Sequence, residues 1–230
     1  MINQKLGWLY RRYDTKRRFI RCGVVNEKTY LRSSPRLVIV LREPNSSDRD
    51  WSLPKFLREE LERFERGQKF QYPYFWKTWK PIGIWSYAIH RGFDKYANLD
   101  SERIAVKGLS YIGMTNLKKT GGRSTAHYPT IKKHAEKYRD LWQNELEIMD
   151  PEIILCGGTF EILAELLGLK PRKTRTGLRY AQWELNGHRV LLVGCNHPAS
   201  RESKKQQYNE LRKALLELHK KGLWHSRSVS

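Results

Sequence analysis

Short unbroken apolar runs alternate with longer amphipathic stretches along this chain. The clearest run covers residues 37–41, where five consecutive apolar residues include three that are β-branched. Such a run predicts a strand that is buried on both faces. Polar residues follow at once, and Pro44 cannot continue a strand ladder. Glu43 is therefore expected at the carboxyl end of a central strand, where open α/β sheets bind their ligands.

The same alternation continues to the end of the chain, and Asn186-Gly187 is a strong hairpin-turn signal. It predicts further strands at 109–114, 153–156, 180–185 and 188–193, and helices at 53–67, 130–149, 160–167 and 208–218. Two prolines and a glycine interrupt the ring-rich stretch 70–87, which is not expected to form one regular element. This order predicts an α/β fold with three layers, α/β/α, around a central, mainly parallel sheet.

A chain of 230 residues is long enough for one full hydrophobic core. We expect a single domain over 1–230, with a basic aromatic N-terminal segment at 1–35, a ring-rich insert at 68–100 and the rest of the α/β core at 101–225. The N-terminal segment interleaves aromatic and cationic side chains. This pattern suits contact with nucleic acid, and it suits equally a strand or helix that covers the edge of the sheet.

Charge narrows the choice of partner. The chain has 44 Lys and Arg against 24 Asp and Glu, a formal net charge of +20, which favours a polyanionic partner, nucleic acid first. A membrane surface is the competitor, but no stretch approaches the roughly 20 apolar residues of a spanning helix, and the amino terminus lacks a signal-peptide pattern. Three cysteines without a CxxC pair favour a reducing cytoplasm.

Three of the predicted strands end in polar loops that carry Glu43, Asn116 and His197. Parallel strands bring such loops to one edge of a sheet, so these side chains are expected to converge. A carboxylate can position water or stabilise positive charge, an amide can bind a donor-and-acceptor edge, and an imidazole can stabilise a developing oxyanion. The alternative is that these residues have structural roles only, with Glu43 a solvated loop residue, His197 a turn residue and Asn116 a loop cap.

Four motifs occur in an order that resembles the uracil-DNA glycosylase superfamily, over roughly residues 36–215. LREPNSS is similar to the first motif, in which a strand ends in a water-positioning residue followed by proline. YIGMTNLKKTGG resembles the strand that delivers the base-binding asparagine. ELEIMDPEIILCGGT is similar to the family's helix, proline, strand and glycine turn, and CNHPAS resembles its second catalytic motif.

The resemblance implies a role for each matching residue. Glu43 would activate water or stabilise the oxocarbenium-like sugar, Asn116 would bind the flipped base, and His197 would support the oxygen of the leaving base. The residues expected to contact DNA are Ser46, Ser47, Lys118, Lys119, Ser200 and Arg201, the last as the wedge into the duplex. A monomer without a metal or other cofactor is expected, since three widely separated cysteines do not fit the iron-sulfur cluster of some branches.

Two departures from the family concern the substrate. Asn45 stands where classical uracil enzymes carry a tyrosine that excludes larger bases. The ring-rich insert, with Phe75 and Trp76 as candidate base contacts, would suit a bulky base. We therefore favour a modified base, such as glucosylated hydroxymethylcytosine of phage DNA, slightly over uracil.

Other classes stay open or are excluded by their signatures. A non-catalytic nucleic-acid binding module would explain the charge and the aromatic residues equally well. A member of the superfamily that acts on RNA or free nucleosides is a further possibility. A zinc base deaminase is disfavoured because its H-x-E and P-C-x-x-C signature is absent.

Overall fold

The computed structural model describes residues 1–13, 19–44, 51–71, 73–121 and 127–224. For residues 73–75 it describes the backbone alone. The predicted site residues Asn45, Ser46 and Ser47, together with the side chain of Phe75, therefore lie outside the described part of the chain.

Helices account for most of the regular structure. They are α1 (Ile2–Arg11), α2 (Glu27–Arg32), α3 (Leu53–Glu65), α4 (Pro73–Arg91), α5 (Tyr96–Leu99), α6 (Glu102–Leu109), α7 (Tyr128–Lys137), α8 (Arg139–Met149), α9 (Phe160–Leu166) and α10 (Lys204–Lys220). The strands are β1 (Ile20–Arg21), β2 (Gly23–Val24), β3 (Leu37–Leu41), β4 (Trp51–Ser52), β5 (Ile112–Asn116), β6 (Ile153–Gly157), β7 (Arg172–Lys173), β8 (Arg179–Leu185) and β9 (His188–Cys195). None of the helices in the described ranges is long and apolar enough to cross a membrane.

A seven-stranded sheet with the order β2-β5-β3-β6-β9-β8-β7 forms the centre of the described structure. β3 pairs in parallel with β5 and with β6, and β6 pairs in parallel with β9. The outer pairings, β2 with β5, β9 with β8 and β8 with β7, are antiparallel. The predicted α/β class is confirmed. The sheet as a whole is mixed rather than mainly parallel, because the hairpin and the N-terminal segment add antiparallel strands at its edges.

The two faces of the sheet carry separate hydrophobic clusters. Leu37, Ile39 and Leu41 of β3 pack in a cluster with residues of α3, α4, α6 and α10. Val38 and Val40 face the other way and pack with residues of α1, α7, α8 and α9. Because successive strand residues point to opposite faces, the five-residue apolar run is buried throughout, and helices cover both sides of the sheet.

The ring-rich stretch departs most from the sequence prediction. It forms one 19-residue helix, α4, with Pro81 inside it. Its buried residues Trp79, Ile82 and Trp85 recur at helical spacing, and Gly83 meets α6 so closely that a Cβ there would lie 2.2 Å from the carbonyl oxygen of Ala105. Tertiary packing on α6 thus outweighs the local cost of the proline.

Three further element boundaries can be compared with the sequence prediction. β5 runs to Asn116, so this residue ends the strand rather than beginning the loop. The long helix predicted at 130–149 is two helices that meet at Tyr138. The hairpin lies as predicted, with positive φ angles of 49° at Asn186 and 77° at Gly187, the backbone that a tight hairpin turn requires.

The N-terminal segment covers the sheet rather than presenting its rings to solvent. β2 lies at the sheet edge, and Tyr10 and Phe19 are both 6% exposed within the core. Base stacking by these two rings is therefore excluded in this structure. Trp8 is 53% exposed and Tyr13 is half-buried, so these two aromatic side chains of the segment remain accessible to a partner.

Candidate active site

The carboxyl ends of the parallel strands lie at one edge of the sheet, and Glu43, Asn116 and His197 are found there. Glu43 follows β3, Asn116 ends β5 and His197 follows β9. Leu41 and Asn116 are paired in the register of β3 with β5. Four parallel strands in the order β5-β3-β6-β9 thus present a carboxylate, an amide and an imidazole at the same edge.

Glu43 is a nearly buried carboxylate held in an ion pair. Its side chain is 8% exposed and accepts a short hydrogen bond from Nζ of Lys118, whose side chain is 14% exposed. Nζ of Lys118 also donates to the carbonyl oxygen of Gly121 at 3.0 Å. In this structure the ammonium group of Lys118 is turned onto a carboxylate and a carbonyl, and a phosphate contact by Lys118 stays a prediction. Lys118 fixes the position of Glu43.

The imidazole of His197 is held as a neutral hydrogen-bond donor. The backbone N–H of Ala199 donates to Nδ1 of His197 at 3.2 Å, so Nδ1 acts as an acceptor and the proton of the neutral ring lies on Nε2. Burial, and then the positive charges of Arg42 and Lys204, lower the pKa of His197 to about 4. The imidazole is therefore uncharged at neutral pH and can donate one hydrogen bond from Nε2.

Helix α10 holds the loop that carries His197. Nζ of Lys204 donates to the carbonyl oxygens of Pro198 and Ser200, at 2.6 Å each, and burial lowers the pKa of Lys204. Nε2 of Gln207 donates to Oγ of Ser200 at 2.5 Å. Arg201, next along the loop, is exposed. The roles of Ser200 and Arg201 toward DNA stay predictions, but Lys204 is a loop-positioning residue that sequence reasoning missed.

Asn116 is 2% exposed and ends β5, so its side chain lies in the interior rather than in an open loop. Its Nδ2 donates to Sγ of Cys22 at 3.7 Å, and burial raises the pKa of that thiol. The contact ties the amide to the N-terminal segment. Binding of a base by Asn116 stays a prediction.

Lys119 does not face solvent. It is 0% exposed, and its Nζ lies 2.5 Å from Oε2 of Glu145, 2.5 Å from Oγ1 of Thr115 and 3.8 Å from Sγ of Cys22. The hydroxyl of Tyr10 donates a short hydrogen bond to the other oxygen of Glu145. The prediction that Lys119 contacts DNA is wrong, because its three N–H donors are all directed to acceptors inside the core. We call Tyr10, Cys22, Thr115, Lys119 and Glu145 the buried polar cluster.

One sequence signal could have revealed this cluster. Glu145 lies on the apolar face of α8, between buried Leu141, Trp142, Leu146 and Met149. A carboxylate on a buried helical face requires a hydrogen-bonded or cationic partner. The pattern predicts that a partner exists, but only the three-dimensional structure identifies it as Lys119.

The ring-rich insert contributes a cavity of about 520 Å³. Phe64, Phe70 and Trp76 stack along it, with ring centroids 5.3 and 4.2 Å apart, and the indole Nε1 of Trp76 is buried without a hydrogen-bond partner. The cavity is also lined by Gly67, Gln68, Lys69 and Glu102. Its lining includes Trp76 and, among the described residues, none from the loops that carry Glu43, Asn116 and His197. A base contact by Trp76 stays a prediction.

No known protein-family model matches this chain, and no curated protein matches its sequence. Within the described ranges, no group of three or more His, Cys, Asp or Glu side chains is arranged to hold a metal ion. The three cysteines are free thiols.

Proposed function

We propose that this protein is a monofunctional DNA glycosylase, which flips a non-canonical base out of DNA and hydrolyses its N-glycosidic bond to leave an abasic site. The observation that carries the proposal is the placement of a nearly buried carboxylate, Glu43, and a neutral imidazole, His197, at one edge of the sheet. The resemblance of the motifs around both residues to the uracil-DNA glycosylase superfamily supports it.

In the proposed reaction, Glu43 stabilises the positive charge that develops on the sugar, and His197 stabilises the negative charge that develops on the base. The bond between C1′ and the base nitrogen breaks with its electron pair moving to the base, and the sugar becomes oxocarbenium-like. Glu43 stabilises the positive sugar and accepts the proton of the attacking water, whose oxygen bonds to C1′. His197 donates a hydrogen bond from Nε2 to the oxygen on which the base's negative charge develops. The released base then takes a proton from solvent.

The proposal includes a uracil-DNA glycosylase-like fold, in which the parallel strands β5, β3, β6 and β9 form the centre. DNA is the proposed partner of a monomeric protein in the cytoplasm. A net charge of +20 supports a polyanionic partner, because neutralising phosphates releases counterions and strengthens binding at low salt.

We propose a bulky modified base, such as glucosylated hydroxymethylcytosine of phage DNA, as the favoured substrate. Support comes from Asn45, which replaces the excluding tyrosine of classical uracil enzymes in the motif resemblance. The stacked rings of Phe64, Phe70 and Trp76 offer aromatic faces of the kind that pack against the apolar face of a sugar, although the described lining of their cavity of about 520 Å³ includes none of the loops that carry Glu43, Asn116 and His197. Removal of uracil in base-excision repair is the alternative substrate assignment.

The test is to incubate the protein with DNAs that carry different natural modifications, and with uracil-containing DNA. Abasic sites are then cleaved chemically, and the released base is identified by mass. Release of the glucosylated base is the expected result. Release of uracil without release from modified-cytosine DNA would contradict the substrate assignment and leave the reaction class standing.

Variants separate catalysis from binding. Glu43→Gln and His197→Ala should each lower the rate of base release by about 10²–10⁴-fold and leave DNA binding intact. Glu184→Gln removes an exposed carboxylate and His127→Ala an exposed imidazole, so these matched controls should keep wild-type rates. A non-catalytic binding module would instead give DNA binding with no base release by any of the proteins.

A further inference from the structure

Arg42, directly before Glu43, is held in a space that the backbone leaves for it. Its Nε donates to the carbonyl oxygen of Gly158 at 3.1 Å. A Cβ at Gly158 would lie 2.8 Å from both Nε and Nη2 of this guanidinium, and Gly158 has a φ of +71°. The backbone conformation therefore favours glycine at position 158, and a side chain there would have to displace the guanidinium that rests against it.

The loop of His197 borders the same glycine turn. The N–H of Gly158 donates to the carbonyl oxygen of Cys195 at 2.8 Å. A Cβ at Gly157 would lie 3.3 Å from Cδ of Pro198. The turn at Gly157 and Gly158 is thus enclosed by Arg42 after β3 on one side and by the loop of His197 after β9 on the other.

Among the described residues, no carboxylate is paired with the guanidinium of Arg42. The adjacent carboxylate, Glu43, is bound to Lys118 instead. The two cations that lower the pKa of His197 are Arg42 from the end of β3 and Lys204 from α10, after burial as the main cause. Glu202, the nearby carboxylate of the loop, accepts from Nδ2 of Asn196 at 2.7 Å.

We propose that Arg42 supplies the positive charge that stabilises the departing base, working beside His197 across the turn at Gly157 and Gly158. This inference rests on the proposed glycosylase function. When the bond from C1′ breaks, its electron pair leaves with the base, and a neutral imidazole offers a hydrogen bond but no compensating charge. A fixed guanidinium nearby supplies that charge without transferring a proton, and it adds to the effect of burial in keeping the imidazole neutral.

Two substitutions at one position separate charge from packing. Arg42→Gln removes the charge and keeps an N–H donor for the carbonyl oxygen of Gly158, whereas Arg42→Lys keeps the charge. Gly158→Ala leaves the arginine in the sequence but fills the space of its guanidinium. Arg189→Gln, at an exposed arginine paired with Glu184, is the matched control, and thermal unfolding checks that each variant is folded.

The first readout does not depend on substrate. NMR titration of His197, assigned with a His197→Asn variant, should show a higher pKa in Arg42→Gln than in the wild type and in Arg42→Lys. The second readout is single-turnover base release, which should fall about 10²-fold in Arg42→Gln, recover substantially in Arg42→Lys and fall in Gly158→Ala. Affinity for DNA should change little in these variants.

The outcomes distinguish this inference from the proposed function. An active wild type whose Arg42→Gln variant keeps both its rate and the pKa of His197 would overturn the role of Arg42 alone. A loss confined to DNA affinity, steeper at low salt, would overturn it in favour of a phosphate contact. A wild type that releases no base from any of the DNAs would overturn the proposed function, whatever the titration shows.

Discussion

Replacing Lys119 by methionine should destabilise the fold far more than removal of a surface lysine. Methionine fills a similar volume without the charge, so the perturbation isolates the ammonium group. Lys119 and Glu145 are 1% and 0% exposed in their side chains and lie 2.5 Å apart. The substitution would leave the carboxylate of Glu145 buried with the hydroxyls of Tyr10 and Thr115 as its hydrogen-bond donors.

The magnitude follows from the burial of both partners. Removing one member of a buried ion pair costs about 3–5 kcal/mol, because an uncompensated charge stays in the core. For a domain of this size, 1 kcal/mol lowers the unfolding midpoint by about 2–4 °C. The expected decrease for Lys119→Met is therefore roughly 6–20 °C. The double variant Lys119→Met, Glu145→Gln should recover most of this loss, since no buried charge remains and glutamine still accepts from Tyr10.

Thermal and urea unfolding of Lys119→Met, Glu145→Gln and the double variant measure the coupling as a double-mutant cycle. Lys132→Met is the matched control, because Lys132 lies at the same 2.5 Å from Glu165 but both side chains are substantially exposed. Its unfolding midpoint should stay close to that of the wild type. A Lys119→Met variant as stable as Lys132→Met, or a double variant as unstable as the single one, would refute the reasoning from a buried charge pair.

Three further predictions concern the candidate site and the helix packing beside it. The pKa of His197 is lowered to about 4 in the folded protein, whereas an unfolded imidazole titrates near 6.5. The unfolded state therefore gains the proton first, and the stability of the fold falls as the pH drops from about 6.5 towards 4. Thermal unfolding across this range should show the decrease in the wild type and a smaller decrease in His197→Asn. Lys204→Met removes two hydrogen bonds to loop carbonyl oxygens, so the rate of base release in single-turnover assays should fall at least about tenfold. The control Lys205→Met, at an exposed lysine, should keep the wild-type rate, and equal rates for the two variants would contradict a positioning role for Lys204. Gly83→Ala, whose Cβ would lie 2.2 Å from a backbone oxygen of α6, should cost about 1–3 kcal/mol or more in urea unfolding, whereas Gly7→Ala in the middle of α1, with open space around it, should be neutral or stabilising by up to about 1 kcal/mol.

Periodicity predicted the parts of the fold whose burial is regular. β3 was predictable because five apolar residues in a row are compatible with a strand covered on both faces. The hairpin was predictable because Asn186 and Gly187 tolerate the positive φ angles that the turn needs. These signals are local, so they do not depend on which other element packs against them.

α4 was not predictable from local signals, because its stability comes from a distant contact. Pro81 normally disfavours a helix interior, but the close approach of Gly83 to Ala105 of α6 and the burial of Trp79 and Trp85 hold the helix together across it. The sequence shows the penalty at Pro81 without showing the packing that compensates for it.

The adjacent lysines after β5 show the same limit within the candidate site. Both match a motif expected to face DNA, yet Lys118 turns to Glu43 and Lys119 turns into the core. Thr115 and Lys119, four residues apart, both form hydrogen bonds with Glu145. Lys118, the residue between Leu117 and Lys119, instead binds Glu43 just after β3. The two lysines differ in their carboxylate partners, which are Glu43 for Lys118 and Glu145 for Lys119. The best sequence indication that Lys119 is buried is Glu145 itself, an acidic residue on the apolar face of α8, 26 positions along the chain. Motif position therefore indicates which loop reaches the site, while the buried partners decide which of its side chains are free to act there.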